Sequence, residues 1–384
     1  MKAGNNIKIT GHSMLKADEK WELGLIDMAV TAAKEAIENS GNILPQVLIC
    51  ANALGAAMMD QRNLAVHVAG QLGLHDIETL DINCGEASGG AALRQGSAII
   101  KAGLAETVLV VGAEKTSDAL PEQLESIRAF GLNASLEAHF GFSPSIGAAL
   151  GMKAYLKRYN LEHSMFYHLA RTAHEHAVNN PYAIFPFKLN ESQYLKSPVI
   201  STPLTVMDTA PPCDGAAAVM LVKEDLNSEN KNKGIYILSS SSITGKLGIP
   251  LPVETLELPA VKKSIQESLT CANLNIEDIA LFEFHDSNSF FSALSIESAG
   301  LSKKGEVLKD AADGKFLKDG NYPLWYSGGN KARGNTIGAT GIYQAVEACK
   351  TLMENSFSDG KKNALIQSLG SFGAQAITHI IGKL

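Results

Sequence analysis

The chain has no run of lysine or arginine. Its 33 basic side chains face 40 acidic ones, for a formal net charge of −7, so nucleic-acid binding finds no electrostatic support. No apolar stretch approaches the ~18–20 residues of a membrane span, and no membrane association is expected. The first six residues lack the apolar core of a signal peptide. No phosphate-binding loop of the P-loop or dinucleotide type is visible. Cysteine is sparse: Cys50, Cys84, Cys213, Cys271 and Cys349 are scattered, odd in number and without metal-ligand spacing. A reduced, cytoplasmic protein with free thiols is expected. His168, His174 and His176 fall on one helical pattern, but no carboxylate or fourth ligand sits at a fitting distance, so no metal is expected. The closing Gly382-Lys383-Leu384 is only loosely like a peroxisomal Ser-Lys-Leu signal, and chance explains it better.

At 384 residues the chain is long for one core, so two domains or a duplicated one is the starting expectation. Glycine is plentiful, at 34 residues, and clusters in short motifs such as 327–329 and 338–341, which suggests tight turns and close backbone approaches. Helical and strand patterns alternate in the first part. Helices are predicted over 25–39, 61–73 and 87–102, the last small and apolar on almost every side and therefore buried all round. Strands are predicted over 47–50, 78–83 and 107–113. The last part repeats the order: helix 259–272, strand 279–284, helices 288–300 and 337–354, strands 364–369 and 376–381. Residues 36–50 and 268–284 both run from a helix end through a polar turn to a strand, a weak sign of duplication. Residues 116–200 break the alternation and read as an insertion or lid over a site. Residues 214–218 (DGAAA) lead back into a strand of the first half. Residues 228–234 (SENKNKG) form the clearest linker. The expected division is 1–115 with 201–230, an inserted 116–200, and 235–384.

Several segments together resemble the thiolase family, in its sterol-carrier and archaeal type. Residues 83–93 (NCGEASGGAAL) resemble the nucleophile loop and the start of its helix, and 103–117 the strand after it. Residues 176–182 (HAVNNPY) and 214–218 resemble two further landmarks. His285-Asp286-Ser287-Asn288 falls where that type has His-Asp-Cys-Phe. Residues 327–341 (SGGNKARGNTIGATG) fall where the family has a Gly-His-Pro loop followed by Gly-Ala-Thr-Gly. The resemblance spans nearly the whole chain in order. It implies a five-layered α/β/α/β/α fold from two similar halves with an inserted loop domain. It also implies homodimers or homotetramers, acyl-CoA thioesters as substrates in lipid metabolism, no separate cofactor, and in this type a small acyl-CoA-binding partner protein.

The departures from the pattern bear on chemistry. Where the family has its nucleophilic cysteine this chain has Glu86, since the spacing from Leu74 through Asp81 to Ala87 fits without a gap. Cys84 lies two residues earlier. The Gly-His-Pro histidine corresponds to Asn335, the second cysteine to Ser287, and the closing loop 367–373 (QSLGSFG) has no cysteine. A thiolase needs a thiolate, activated by a helix N-terminus and by histidine. Asparagine takes no proton near neutral pH but donates hydrogen bonds. Ordinary thiolysis is therefore not expected. At a helix N-terminus the dipole lowers the Glu86 pKa while burial raises it; if burial dominates, Glu86 is a general acid or base near neutral pH, and otherwise it is a capping carboxylate. By the resemblance His285 faces the substrate carbonyl, and Asn335 keeps half an oxyanion hole as a donor or serves only loop turn chemistry. Ser287 is either part of the site or a local hydrogen-bonding remnant. Ser327, Gly328 and Gly338 of the glycine-rich loop are candidate substrate-binding residues, and so is His139 of the insertion, for which a lid or core contact is the alternative. Three functions follow: an enzyme acting on an acyl-CoA without an acyl-cysteine, a non-catalytic thiolase-like subunit that positions a partner enzyme, or an acyltransferase using Cys84.

Overall fold

Burial on both faces selects the strands. In a computed structural model that describes residues 6–224, 234–248, 255–357 and 360–384, strand β2 (Val47–Ala51) and strand β10 (Asn363–Gly370) are buried at every position, as a fully covered sheet requires. Nine strands hydrogen-bond in the order β3-β2-β4-β7-β1-β8-β11-β10-β9. The others are β1 (Asn6–Met14), β3 (Glu78–Ile82), β4 (Thr107–Glu114), β7 (Gly215–Glu224), β8 (Ile235–Thr244), β9 (Ile279–Glu283) and β11 (Gln375–Gly382). Strands β5 (Val199–Ser201) and β6 (Leu204–Thr205) form a separate small ribbon.

The hydrogen-bond pattern repeats. Strands β2 and β4 are parallel, then β4–β7 and β7–β1 are antiparallel. Strands β9 and β10 are parallel, then β10–β11 and β11–β8 are antiparallel. The two sets meet where β1 pairs with β8. Strand β3 extends the first set beside β2. Its counterpart in the second set shrinks to one parallel bridge between Phe282 and Leu324. The sheet is continuous, yet it carries an internal repeat. Of the linker 228–234, residues 228–233 lie outside the described residues.

Helices cover and separate the strands. They are α1 (Leu25–Asn39), α2 (Gly55–Met58), α3 (Leu64–Gln71), α4 (Ser88–Ala102), α5 (Pro121–Arg128), α6 (Pro144–Tyr159), α7 (Tyr167–Ala177), α8 (Glu191–Leu195), α9 (Pro259–Ala272), α10 (Ser289–Ser298), α11 (Val307–Ala312) and α12 (Thr340–Glu354). Helix α1 buries Leu25, Met28, Ala29, Ala32, Ala33 and Ala36, a stripe at helical spacing, against β1, β4 and β7; α9 lies on β8 and β11. Helices α4 and α12 pack on each other and touch strands of both sets, giving the layers α/β/α/β/α. Their backbones approach closely: a Cβ on Gly341 would stand 2.4 Å from the Gly90 amide nitrogen, and one on Gly89 would stand 2.8 Å from that of Gly341.

The expectation that 87–102 is buried all round needs correction. Arg94, Gln95, Ala98 and Lys101 are exposed, because polar residues spaced along one side give α4 a solvent stripe. Helix α12 is buried nearly throughout, as is α10. The predicted helices over 61–73 and 337–354 are shorter than expected, and 337–339 form a separate 3-10 turn before α12. The insertion does not stand apart: Met152, Tyr155, Phe166 and Leu169 share one core with Phe282, Phe290 and Trp325.

Candidate active site

Glu86 sits in the turn between β3 and α4. Gly85 takes φ 58° there, and Ser88 accepts a hydrogen bond from the Cys84 amide (2.9 Å) while donating to the Gly85 carbonyl (2.6 Å). Strand β9 ends two residues before His285, whose side chain is buried. Asp286 accepts hydrogen bonds from the backbone amides of Asn330 (2.7 Å) and Lys331 (3.0 Å), tying the 328–335 loop to the end of β9. Asn288 caps α10 by accepting from the Phe291 amide (3.0 Å).

The side chains of Glu86 and His285 converge. His285 Nε2 lies 2.9 Å from Glu86 Oε2. Arg128, the last residue of α5, donates from Nη2 to Glu86 Oε1 at 2.6 Å, and its Nη1 reaches Glu125 at 3.4 Å. Burial pushes the Glu86 carboxyl up, but the Arg128 guanidinium and the His285 imidazole outweigh it and hold Glu86 well below the usual carboxylate range. Glu86 is thus an anion with both oxygens paired, not the near-neutral acid that dominant burial would have made. The Arg128 charge is in turn disfavoured by burial and favoured more strongly by Glu86 and Glu125.

These groups line a cavity of about 290 Å³, at the small end for ligand sites. Ser287 and Asn288 line it too, with apolar walls from Leu54, Ile127, Phe130, Phe291, Leu369 and Phe372. None of the five cysteines, all among the described residues, lines it. The Cys84 thiol is half-buried, and burial pushes its pKa up.

Other expected residues lie elsewhere. Asn335 is buried and does not line the cavity; its Oδ1 accepts from the Ile337 amide (3.0 Å) and the Thr340 hydroxyl (3.1 Å), which is loop and helix-start chemistry. Ser327, Gly328, Gly338 and His139 do not line the cavity either. The Ser327 carbonyl accepts from Asn180 Nδ2 (2.8 Å), and a Cβ on Gly328 would stand 2.6 Å from that of Ala177. His174 and His176 each place Nδ1 against a backbone carbonyl, of Phe187 (3.1 Å) and Leu324 (2.8 Å). Burial lowers both to about 4. Among the described residues no group of three His, Cys, Asp or Glu stands close enough to hold a metal ion, and no helix is long and apolar enough to cross a membrane.

Two supports escaped the sequence reading. Arg128 belongs to no motif. Glu114 closes the buried strand β4, and its carboxylate accepts from Asn52 Nδ2 (2.7 Å) and the amides of Ala53 (2.9 Å), Leu54 (3.1 Å) and Gly338 (3.0 Å). It thereby fixes the Ala53–Leu54 wall. Burial outweighs those donors and raises its pKa to about 7. A charged residue ending an otherwise apolar strand was the available signal.

A two-fold repeat around paired central helices, with a pocket at the start of one of them, defines a class, and sequence comparison agrees with it. The thiolase N-terminal domain model matches residues 15–188, and the thiolase C-terminal domain-like model residues 252–383. The chain belongs to the thiolase superfamily. It is 30% identical to an acetyl-CoA acetyltransferase of Methanocaldococcus jannaschii over 89% of this chain and 88% of that one. It is 28% identical to sterol carrier protein 2 of Oryctolagus cuniculus, over 92% of this chain and 67% of the relative. A solved Ltp2-ChsH2(DUF35) aldolase superposes with a TM-score of 0.84 at 19% identity, covering 100% of this chain and 99% of that one, a likeness of fold.

Proposed function

We propose that the protein binds an acyl-CoA-type thioester in this cavity and makes or breaks a carbon–carbon bond beside the thioester without an acyl-cysteine. The observation that carries this reading is the His285–Glu86 contact on the wall of a cavity that no cysteine lines. Aldol-type cleavage suits such a site because it needs a proton acceptor and an oxyanion donor but no nucleophile. Since Glu86 is anionic, His285 Nε2–H donates to it at rest. When a thioester carbonyl takes that N–H, Glu86 loses one of its two partners and becomes more basic. Glu86 then accepts the proton of the β-hydroxyl group. The carbon–carbon bond breaks, a carbonyl product forms, and the electron pair becomes an enolate held by His285. The proton on Glu86 passes to the enolate carbon, which balances the step. The fold likeness to the two-component Ltp2-ChsH2(DUF35) aldolase supports this chemistry and a small partner protein. Free cysteines support a reducing, cytoplasmic setting, and a homodimer or homotetramer is the proposed working form.

The full pairing of Glu86 favours a second reading: a non-catalytic subunit in which the ion pair only holds the cavity shut or in shape. Incubation with β-hydroxyacyl-CoA, followed by mass spectrometry, separates the two. The expected result is a carbonyl product and a shortened acyl-CoA, with turnover lowered by about 10²–10⁴ in Glu86→Gln and binding retained. Binding without turnover would establish the second reading. A labelled Cys84 after acyl-CoA treatment would overturn both in favour of an acyl-cysteine.

A further inference from the structure

The turn joining β10 to β11 carries two consecutive non-glycine residues in the left-handed region, Ser371 at φ 46° and Phe372 at φ 55°. Such a conformation is a genuine outlier for a bulky side chain, and strain of this kind points to placement of a group. What it places is the Phe372 ring. That ring meets Phe291 of α10 edge to face, with centroids 4.7 Å apart and planes at 87°. It also packs on the Ala129 and Leu132 cluster that follows α5. Both phenylalanines line the cavity, so one half-buried ring joins its α10 wall to its insertion wall. The turn has no room to retreat, because a Cβ on Gly373 would stand 2.7 Å from Leu258 and 3.0 Å from Phe291.

Charge narrows the ligand further. Among the described residues lining the cavity the ionisable groups are Glu86, Arg128 and His285. The one guanidinium already faces two carboxylates, Glu86 and Glu125. A ligand carboxylate would enter against an anionic excess.

We infer that Phe372 is a specificity-determining residue and that the site takes an uncharged, apolar acyl group of medium size, the Phe372 ring setting the limit. This rests on the acyl-thioester reading above. Calorimetric titration with octanoyl-CoA, palmitoyl-CoA and succinyl-CoA tests it without requiring turnover. Wild-type protein is expected to bind octanoyl-CoA at least about tenfold more tightly than either of the others. Phe372→Ala is expected to move the octanoyl-to-palmitoyl ratio about tenfold toward palmitoyl-CoA, while Phe372→Leu keeps the wild-type order. Should Phe372→Ala not fold, Phe291→Ala opens the same wall and carries the comparison. An unchanged ratio, or succinyl-CoA binding as tightly as octanoyl-CoA, would overturn the inference and leave the thioester reading standing. No binding of any of the three by the wild type would defeat both.

Discussion

Glu86 shows how far a single position could be read in advance. The turn before α4 and the His285 motif lie in ordered sequence patterns, so their meeting could be expected. The charge state of Glu86 could not, because Arg128 reaches it from a segment with no motif and only the folded chain brings the two together. The pairing has a measurable signature. With side chains 15% and 19% exposed, Glu86→Gln and Arg128→Met are each expected to cost roughly 2–3 kcal/mol, somewhat below a fully buried pair. The double variant should lose less than the sum, with a coupling of about 1–2 kcal/mol. Denaturant unfolding of the four proteins checks this, and strictly additive losses would disprove the coupling. The pH dependence has a definite sign. Glu86 is held below its ordinary value of 4.5, so its stabilisation is complete above that pH and is lost as pH falls from there toward the depressed value. The stability gap between wild type and Glu86→Gln should therefore narrow on acidification below about pH 4.5.

Among the elements, the buried strands were the most readable, since continuous apolar runs such as 107–113 leave few alternatives. Helix ends were less so: Ile337, at φ 45°, opens a 3-10 turn that a helical pattern alone does not separate from α12. The environment of α4 was misassigned because small residues make it look apolar, whereas α12, read only as a helix, hides Gln344 and Glu347 in the interior. What α4 contributes instead is closeness. Gly89, Gly90 and Gly341 form the crossing with α12, and the start of α4 is the frame on which Glu86 is held. Gly341→Ala is expected to lower the unfolding free energy by about 2–3 kcal/mol through overpacking against the Gly90 backbone, and Gly341→Val by more. A neutral Gly341→Ala in denaturant titration would mean that the helices can separate without cost.

The site belongs to the chain as a whole. Glu86 comes from the first repeat, His285 from the second, and Arg128 from the stretch between them. The largest core likewise joins residues 148–204 to residues 256–380. Fragments 1–224 and 235–384 made separately are each expected to bind no acyl-CoA detectable by calorimetry. The first should also expose its half of that core and bind a hydrophobic dye. Saturable binding by either fragment alone would show that the cavity needs only one part. The three-way contact at Glu86 also governs which sequences lie within reach of this one. A single exchange of Glu86 for cysteine would leave the Arg128 guanidinium with Glu125 alone and take from His285 Nε2 its partner, when its Nδ1 already has none among the described residues. That variant is worse placed than the carboxylate site, and position 128 would have to change with position 86 to relieve it. Positions 86 and 128 are therefore expected to change together and not one at a time, because each charge is the other's partner.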